Sequence, residues 1–311
     1  MKVSFFEKLK AFLVVNRFEF TPVSEGIILS FMILNLGSFK ELISIPVILA
    51  FITYNIATYW GGAINVYFDY NFDKKSPTKV RLTKAIDVLG KPFVRKMLVV
   101  EFLLFSLSGF LLSYFTKNYN LLILLIIGTF FTMAYSIEPL RFKRRGILNS
   151  ISLFLIIMFL PPLYGWLTLN SSLSVPVFLM ILGLAFVQYG NGLYYTAADY
   201  TEDKADGIIT PPVQMGVLKA VKVSLLLVML GGILLVYGYS NLEYLNTSGL
   251  ILTTLGQLVP FLGILQLLVK SKNDTTVMET LIKRYEMRIP VWVAISSFSI
   301  LFSNVFFMIY R

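Results

Sequence analysis

The chain contains no cysteine and no histidine, and only 14% of its 311 residues are charged. Without cysteine there is no disulfide framework, no thiol nucleophile and no thiolate metal site. Without histidine, the commonest general base and transition-metal ligand is missing as well. Any metal must be held by carboxylates, carbonyls and water, a donor set that suits magnesium or calcium. The shortage of charge is matched by an excess of apolar residues, 57% of the chain, far more than a soluble domain buries.

These apolar residues come in blocks of about 20, the length that crosses a bilayer. They predict an all-α polytopic membrane protein, a single integral-membrane domain over residues 1–311. Nine spans are expected at roughly 22–38, 43–68, 97–115, 119–137, 147–168, 174–198, 217–238, 247–269 and 289–310, bundled around a central cavity. Residues 1–17 mix Phe5, Phe6, Leu9, Phe12 and Leu13 with lysines and read as an interfacial amphipathic helix. No small-residue cleavage site follows the early charges Lys2, Lys8, Lys10 and Arg17, so this segment is not read as a secretory leader.

Of the 27 Lys and Arg residues, 24 lie in the segments 1–21, 69–96, 138–146, 199–222 and 270–288, which leaves Lys40, Lys117 and Arg311 for the opposite side. That asymmetry places the five segments in the cytoplasm of a cell-membrane protein. The net charge of +10 is then a cytoplasmic belt, and no nucleic-acid partner is expected.

Two acidic stretches stand out at span ends. In the first, Asn65, Asp69 and Asp73 are spaced i, i+4, i+8 and lie along one helical face. In the second, Asp199, Asp203 and Asp206 again share a face. Asp69 and Asp199 are 130 residues apart, as are Asp73 and Asp203, with four spans between, so the second and sixth spans run in the same direction. This suggests a pseudo-repeat of about four spans, each half offering one carboxylate cluster. Carboxylates at a span end are costly unless paired, hydrated or bound to metal. Doubled clusters of this kind can hold divalent cations, and those cations can grip a diphosphate.

Basic loops follow. Residues 74–81, with Lys79 and Arg81, and residues 135–146, with Tyr135, Arg141 and Lys143, have the composition to neutralise a phosphate leaving group, although basic residues at these ends also serve as topology anchors. Pro161-Pro162 should break or kink the fifth span. Some of the 27 Phe and 17 Tyr residues are candidates to line an apolar tunnel and steady a carbocation through their ring faces.

The Asn-x-x-x-Asp-x-x-x-Asp pattern at 65–73 resembles the first signature of the UbiA superfamily of intramembrane prenyltransferases. The stretch from Asp199 through Asp203, Gly207 and Thr210 to Pro212-Val213 is similar to that family's second signature. Tyr135-Ser136, then Pro139-Leu140-Arg141-x-Lys143, Gly146 and Asn149, resembles the loop between its fourth and fifth spans. The resemblance covers essentially the whole chain. Two positions depart from the pattern. Thr196 stands where members often carry an extra acid, with Asp206 on the same face as a compensating residue. The Arg-Pro pair that usually follows the first signature is missing, with Lys79 and Arg81 the nearest substitutes.

The resemblance implies an enzyme that transfers a polyprenyl group from its diphosphate with Mg2+ as cofactor. Asp69, Asp73, Asp199 and Asp203 would hold the metal, with Asp206 added from this sequence to compensate for Thr196, and Asn65 would orient the first cluster. Arg141, Lys143, Lys204, Lys79, Arg81 and Tyr135 would contact the diphosphate. Its partners would be an isoprenyl diphosphate, a small aromatic or lipid acceptor and membrane lipid. An aromatic acceptor, as in quinone-type biosynthesis, is the first expectation. A glycerol-phosphate lipid (ether-lipid synthesis) and a porphyrin or chlorophyll-type ring are alternatives. A cation-coupled transporter is the competing class, but transport sites usually lie near the bilayer midplane, whereas these acids sit at span ends beside basic loops.

Overall fold

A computed structural model describes residues 3–75, 79–170, 172–205, 207–243, 246–285 and 288–310. Ser76, Pro77 and Thr78 of the first basic loop, and Asp206 of the second acidic stretch, lie outside the described residues. The described chain is helical, and seven helices are long and apolar enough to cross a membrane. The expected first and fourth spans correspond to shorter apolar helices, Ser24–Leu34 and Asn120–Ser136. The chain divides into two compact units, one of residues 1–25 and 44–141, the other of residues 26–43 and 142–311.

The first unit opens with α1 (Phe5–Val15), started by a capping box: Ser4 N–H donates to Glu7 Oε2 at 2.7 Å, and Glu7 N–H to Ser4 Oγ at 3.2 Å. Ala11 and Val15 are buried, while Phe5 and Phe6 are more than 70% exposed. That split fits a helix lying at a membrane interface. α1 packs against α4 (Val80–Leu89), an amphipathic helix inside what the sequence presented only as a charged inner segment. Leu82, Ala85 and Ile86 form its buried stripe at helical spacing. The long helices α3 (Ile45–Asp73) and α5 (Lys91–Thr116) pack on each other, and α6 (Asn120–Ser136) joins both. Their shared core centres on Trp60, Tyr70, Ile86, Val94 and Phe105.

In the second unit, the fifth apolar segment is helical from Ile147 to Leu167 but not uniform. α7 (Ile147–Leu153) widens into a π-helical stretch, Phe154–Phe159, before α8 (Leu160–Leu167). Pro161 and Pro162 cause this, because neither has an N–H to return to the preceding turn, so the ladder shifts register. Phe154 in the widened turn touches Phe159, Phe186 and Tyr189, with ring centroids 5.7–6.0 Å apart.

α9 (Val175–Thr196) crosses α12 (Val217–Ser240) through facing glycines: a Cβ on Gly231 would lie 2.5 Å from Gly183 O. Small residues of this kind let apolar helices approach without a hydrophobic drive between them. α13 (Thr247–Ser271) and α15 (Arg288–Tyr310) are joined instead by polar side chains, Thr253 Oγ1 to Ser303 Oγ at 2.8 Å and Ser296 Oγ to Gln257 Oε1 at 2.6 Å. Between them lies α14 (Thr275–Tyr285), a second amphipathic helix within an inner segment.

Each acidic stretch is followed by a short helix and then a long one entered through a glycine. α5 follows Gly90 (φ 83°, ψ 133°), and α12 follows α11 (Pro211–Met215) and Gly216 (φ 85°, ψ 149°). Only glycine enters such a conformation freely. The same local sequence of events therefore recurs in each unit, in agreement with the pseudo-repeat.

Candidate active site

α3 runs unbroken to Asp73, so Asn65, Asp69 and Asp73 stack one turn apart on a continuous helix, as the spacing predicts. Asp69 is 5% exposed and Asp73 is 4% exposed. A carboxylate that merely ended a helix would sit in water. Burying two requires compensation. Arg141 supplies it for Asp69, with its Nη2 donating to Oδ1 at 3.0 Å, while its Nη1 donates to Glu138 Oε1 at 3.0 Å. The Arg141 side chain is only 15% exposed, so this is a largely desolvated pair.

The Arg141 backbone has φ 35°, a left-handed conformation unusual for a non-glycine residue. Its amide donates to Ile137 O at 2.9 Å, which secures the turn that aims the guanidinium. Lys79 Nζ lies 3.4 Å from Asp73 Oδ1, but the lysine side chain is nearly half exposed and contributes less. Ser136, at the end of α6, donates its hydroxyl to Asn65 Oδ1 at 3.5 Å. Tyr135 is half-buried in the same last turn. Arg81 is directed elsewhere: its guanidinium pairs with Glu19, which also holds Arg17.

The second acidic stretch is not continuous with the span before it. α9 ends at Thr196, a turn covers Ala197–Asp199, and α10 (Tyr200–Ala205) starts afresh. The register survives the break because Asp203 N–H donates to Asp199 O at 2.8 Å. Asp199 is exposed and Asp203 half-buried. Lys204 is exposed, its ammonium 3.4 Å from the Tyr200 hydroxyl and 5.5 Å from the centre of that ring.

No pattern in the sequence announces the way the basic loop is held in this unit. Gly146 N–H donates to Ile209 O at 2.9 Å, and Arg145 and Ile209 form an isolated parallel bridge. Buried Asn149 donates its side-chain amide to Lys143 O at 2.7 Å. The run Lys143-Arg144-Arg145 is thereby docked on the segment that leaves Asp203, so a cationic loop and an acidic helix share one scaffold.

Among the described residues, no three acidic side chains are grouped closely enough to hold a metal ion by themselves. The available donors nonetheless fit magnesium, which takes one or two carboxylates and completes its shell with phosphate oxygens and water. All candidate ligands are hard oxygens.

Residues 26–283 match the model of the UbiA prenyltransferase family. The chain is an all-helical integral membrane protein, and it belongs to the UbiA prenyltransferase family, which makes it a prenyltransferase. Among solved structures, it is similar to a digeranylgeranylglyceryl phosphate synthase at 21% identity, with TM-score 0.65 and coverage of 96% of this chain and 99% of that one. A UbiA homologue from Archaeoglobus fulgidus bound to GPP and Mg2+ is 15% identical, with TM-score 0.64 over 94% and 99% of the two chains. A UbiA homologue from Aeropyrum pernix K1 in its apo form is 18% identical, with TM-score 0.61 over 86% and 98%. Comparison with curated proteins gave no match.

Proposed function

We propose that this protein transfers a polyprenyl group, of geranylgeranyl type, from its diphosphate to an acceptor, with both acidic stretches serving one diphosphate on the cytoplasmic side of the membrane. The observation that carries this reading is the burial of Asp69 and Asp73 at the end of a span, with Arg141 and Lys79 as their cations. Acids and cations set side by side suit a polyanion bound through metal better than a transported cation.

Asp69, Asp73, Asp199 and Asp203 would hold Mg2+, with Asp206 a fifth ligand that compensates for Thr196. When bound, the metal would neutralise the diphosphate and stabilise charge on the departing oxygen. Asn65, fixed by Ser136, would orient the first pair. Arg141, Lys143 and Lys204 would meet the diphosphate as its bond to the allylic carbon breaks and the electron pair leaves with oxygen, an electrostatic contribution fixed before the reaction begins. Lys79, Arg81 and Tyr135 complete the proposed set, with Arg81 required to release Glu19. The acceptor then bonds to the allylic carbon and loses its proton to the departing diphosphate or to water. No histidine is needed, because the cation demands little basic help from its acceptor.

An aromatic acceptor of the quinone-precursor type is the first reading. A glycerol-phosphate lipid is the second, favoured by the likeness to a digeranylgeranylglyceryl phosphate synthase. The test is to reconstitute the protein with labelled geranylgeranyl diphosphate, Mg2+ and a panel of aromatic, glycerol-phosphate and porphyrin-type acceptors, and to identify products by mass spectrometry. Prenylation of an aromatic ring supports the first reading. Ether formation on the glycerol acceptor replaces it with the second, and no product from any acceptor counts against both.

A further inference from the structure

The first unit carries a groove of about 700 Å3 between α3 and the beginning of α5 that the proposed chemistry does not use. Tyr67, Lys91, Arg95, Lys96, Val99 and Val100 line it. Tyr67 lies on α3 about 160° around the helix from Asp69, so the groove is on the opposite face from the acids. On α5 the lining follows one face, positions 95, 96, 99 and 100, and its character changes along that face. The first turns present cations. The next presents Val99 and Val100, both more than half exposed, and Leu103 continues the stripe at 59% exposure.

Lys91 is partly engaged, with Nζ 3.9 Å from the centre of the Tyr70 ring and 3.3 Å from Asn71 Oδ1. Among the described residues, no carboxylate pairs with Arg95 or Lys96. The groove therefore offers excess positive charge, then, about 7 Å deeper along a membrane-spanning helix, an aliphatic wall. We propose that it seats an anionic phospholipid, the headgroup phosphate on Arg95, Lys96 and Lys91 and an acyl chain along Val99 and Val100. A soluble anion would use only the cations, and a neutral lipid only the wall. Basic pockets beside spans recognise lipid headgroups in this way.

A control for general charge attraction is built into the fold. α12 enters through Gly216 as α5 does through Gly90, and carries exposed Lys219 and Lys222 in its first turns. Neither lines this groove. The experiment is retention of dioleoyl-phosphatidylglycerol against dioleoyl-phosphatidylcholine by the purified full chain, read by native mass spectrometry after titration in detergent. Wild type should retain phosphatidylglycerol preferentially. The double variant Arg95→Gln/Lys96→Gln should weaken that retention on the order of tenfold, from the usual contribution of each basic residue near an anionic headgroup. Val100→Trp should also weaken it by filling the aliphatic part, without altering charge. Lys219→Gln/Lys222→Gln should leave it unchanged, and inorganic phosphate at millimolar concentration should not displace the lipid. Gel filtration and circular dichroism must show each variant folded. If the Arg95/Lys96 variant keeps its preference, the site is wrong. If the Lys219/Lys222 variant loses as much, or Val100→Trp loses nothing, the attraction is a diffuse basic belt and the groove has no specific occupant. If inorganic phosphate displaces the lipid, the site is one for phosphate and not for a phospholipid.

Discussion

Replacing Arg141 by Gln removes the cation that faces Asp69 and leaves a carboxylate only 5% exposed without its charged partner. At 3.0 Å and an effective dielectric of about 20, the bare attraction is about 5.5 kcal/mol. The desolvation already spent on both ions offsets much of it, and removal of one partner from a buried pair typically costs about 3–5 kcal/mol. Because Arg141 keeps a solvent edge and a second partner in exposed Glu138, we expect the lower end, about 3 kcal/mol. The assay is thermal unfolding in detergent, with and without Mg2+, beside prenyl-transfer turnover. Arg141→Gln should unfold several degrees below wild type, and Mg2+ should recover part of that loss by replacing the missing positive charge at Asp69. Turnover should fall on the order of 100-fold, as for loss of one preorganised charge-stabilising group. Unchanged unfolding with unchanged turnover would refute the role assigned to the pair. Lost stability that Mg2+ does nothing to restore would refute Asp69 as a metal-binding carboxylate.

Exhaustive chelation should abolish turnover, and added Mg2+ should restore it; full activity in the chelated protein is the contrary result. Gly231→Ala should destabilise the protein by about 1–3 kcal/mol through overpacking, because the new Cβ would meet the backbone of Gly183 and Val187 at 2.5–2.8 Å. Gly232→Ala, where the nearest atom is Gln257 Cβ at 3.6 Å, should be near neutral in the same unfolding assay. The Glu7 carboxyl is held below its ordinary value of 4.5 by the Ser4 backbone amide, then by the Ser4 hydroxyl. Its contribution to the α1 cap is present above that value and lost as pH falls through the lowered one. The protection of the amides at the start of α1, taken as their exchange rate relative to the unstructured chain at the same pH, should therefore stay constant from neutral pH down to about 4.5 and fall only below it. Protection already lost at pH 6 would contradict this.

The long elements were legible because apolar runs of bilayer length leave little choice of structure, and the Asn65–Asp69–Asp73 face followed from spacing alone. The positive-inside count marks 69–96 and 270–288 only as inner segments, without resolving α4 and α14 within them. The signal was present in the apolar spacing of Leu82, Ala85 and Ile86, but the surrounding lysines concealed it. The break at Thr196 was less accessible, since the one poor helix former nearby, Gly192, lies inside α9 and nothing from Thr196 to Asp199 disfavours a helix strongly. The site's tertiary bonds were not legible at all. Arg81 and Arg141 are both arginines in basic loops, yet one pairs with Glu19 and the other with Asp69. That outcome depends on where the chain returns in space, as does the pairing of Gly146 with Ile209.

The claim that both acidic stretches serve one prenyl-transfer reaction is tested most directly by turnover of isoprenyl diphosphate by wild type, Asp69→Asn and Asp199→Asn, each confirmed folded in detergent. These substitutions keep shape and remove one negative charge, one from each stretch. Each should lower turnover on the order of 100-fold or more. If either variant keeps more than about a tenth of wild-type turnover, a loss of only about 1.4 kcal/mol in transition-state stabilisation, that stretch does not take part in the chemistry and the claim fails.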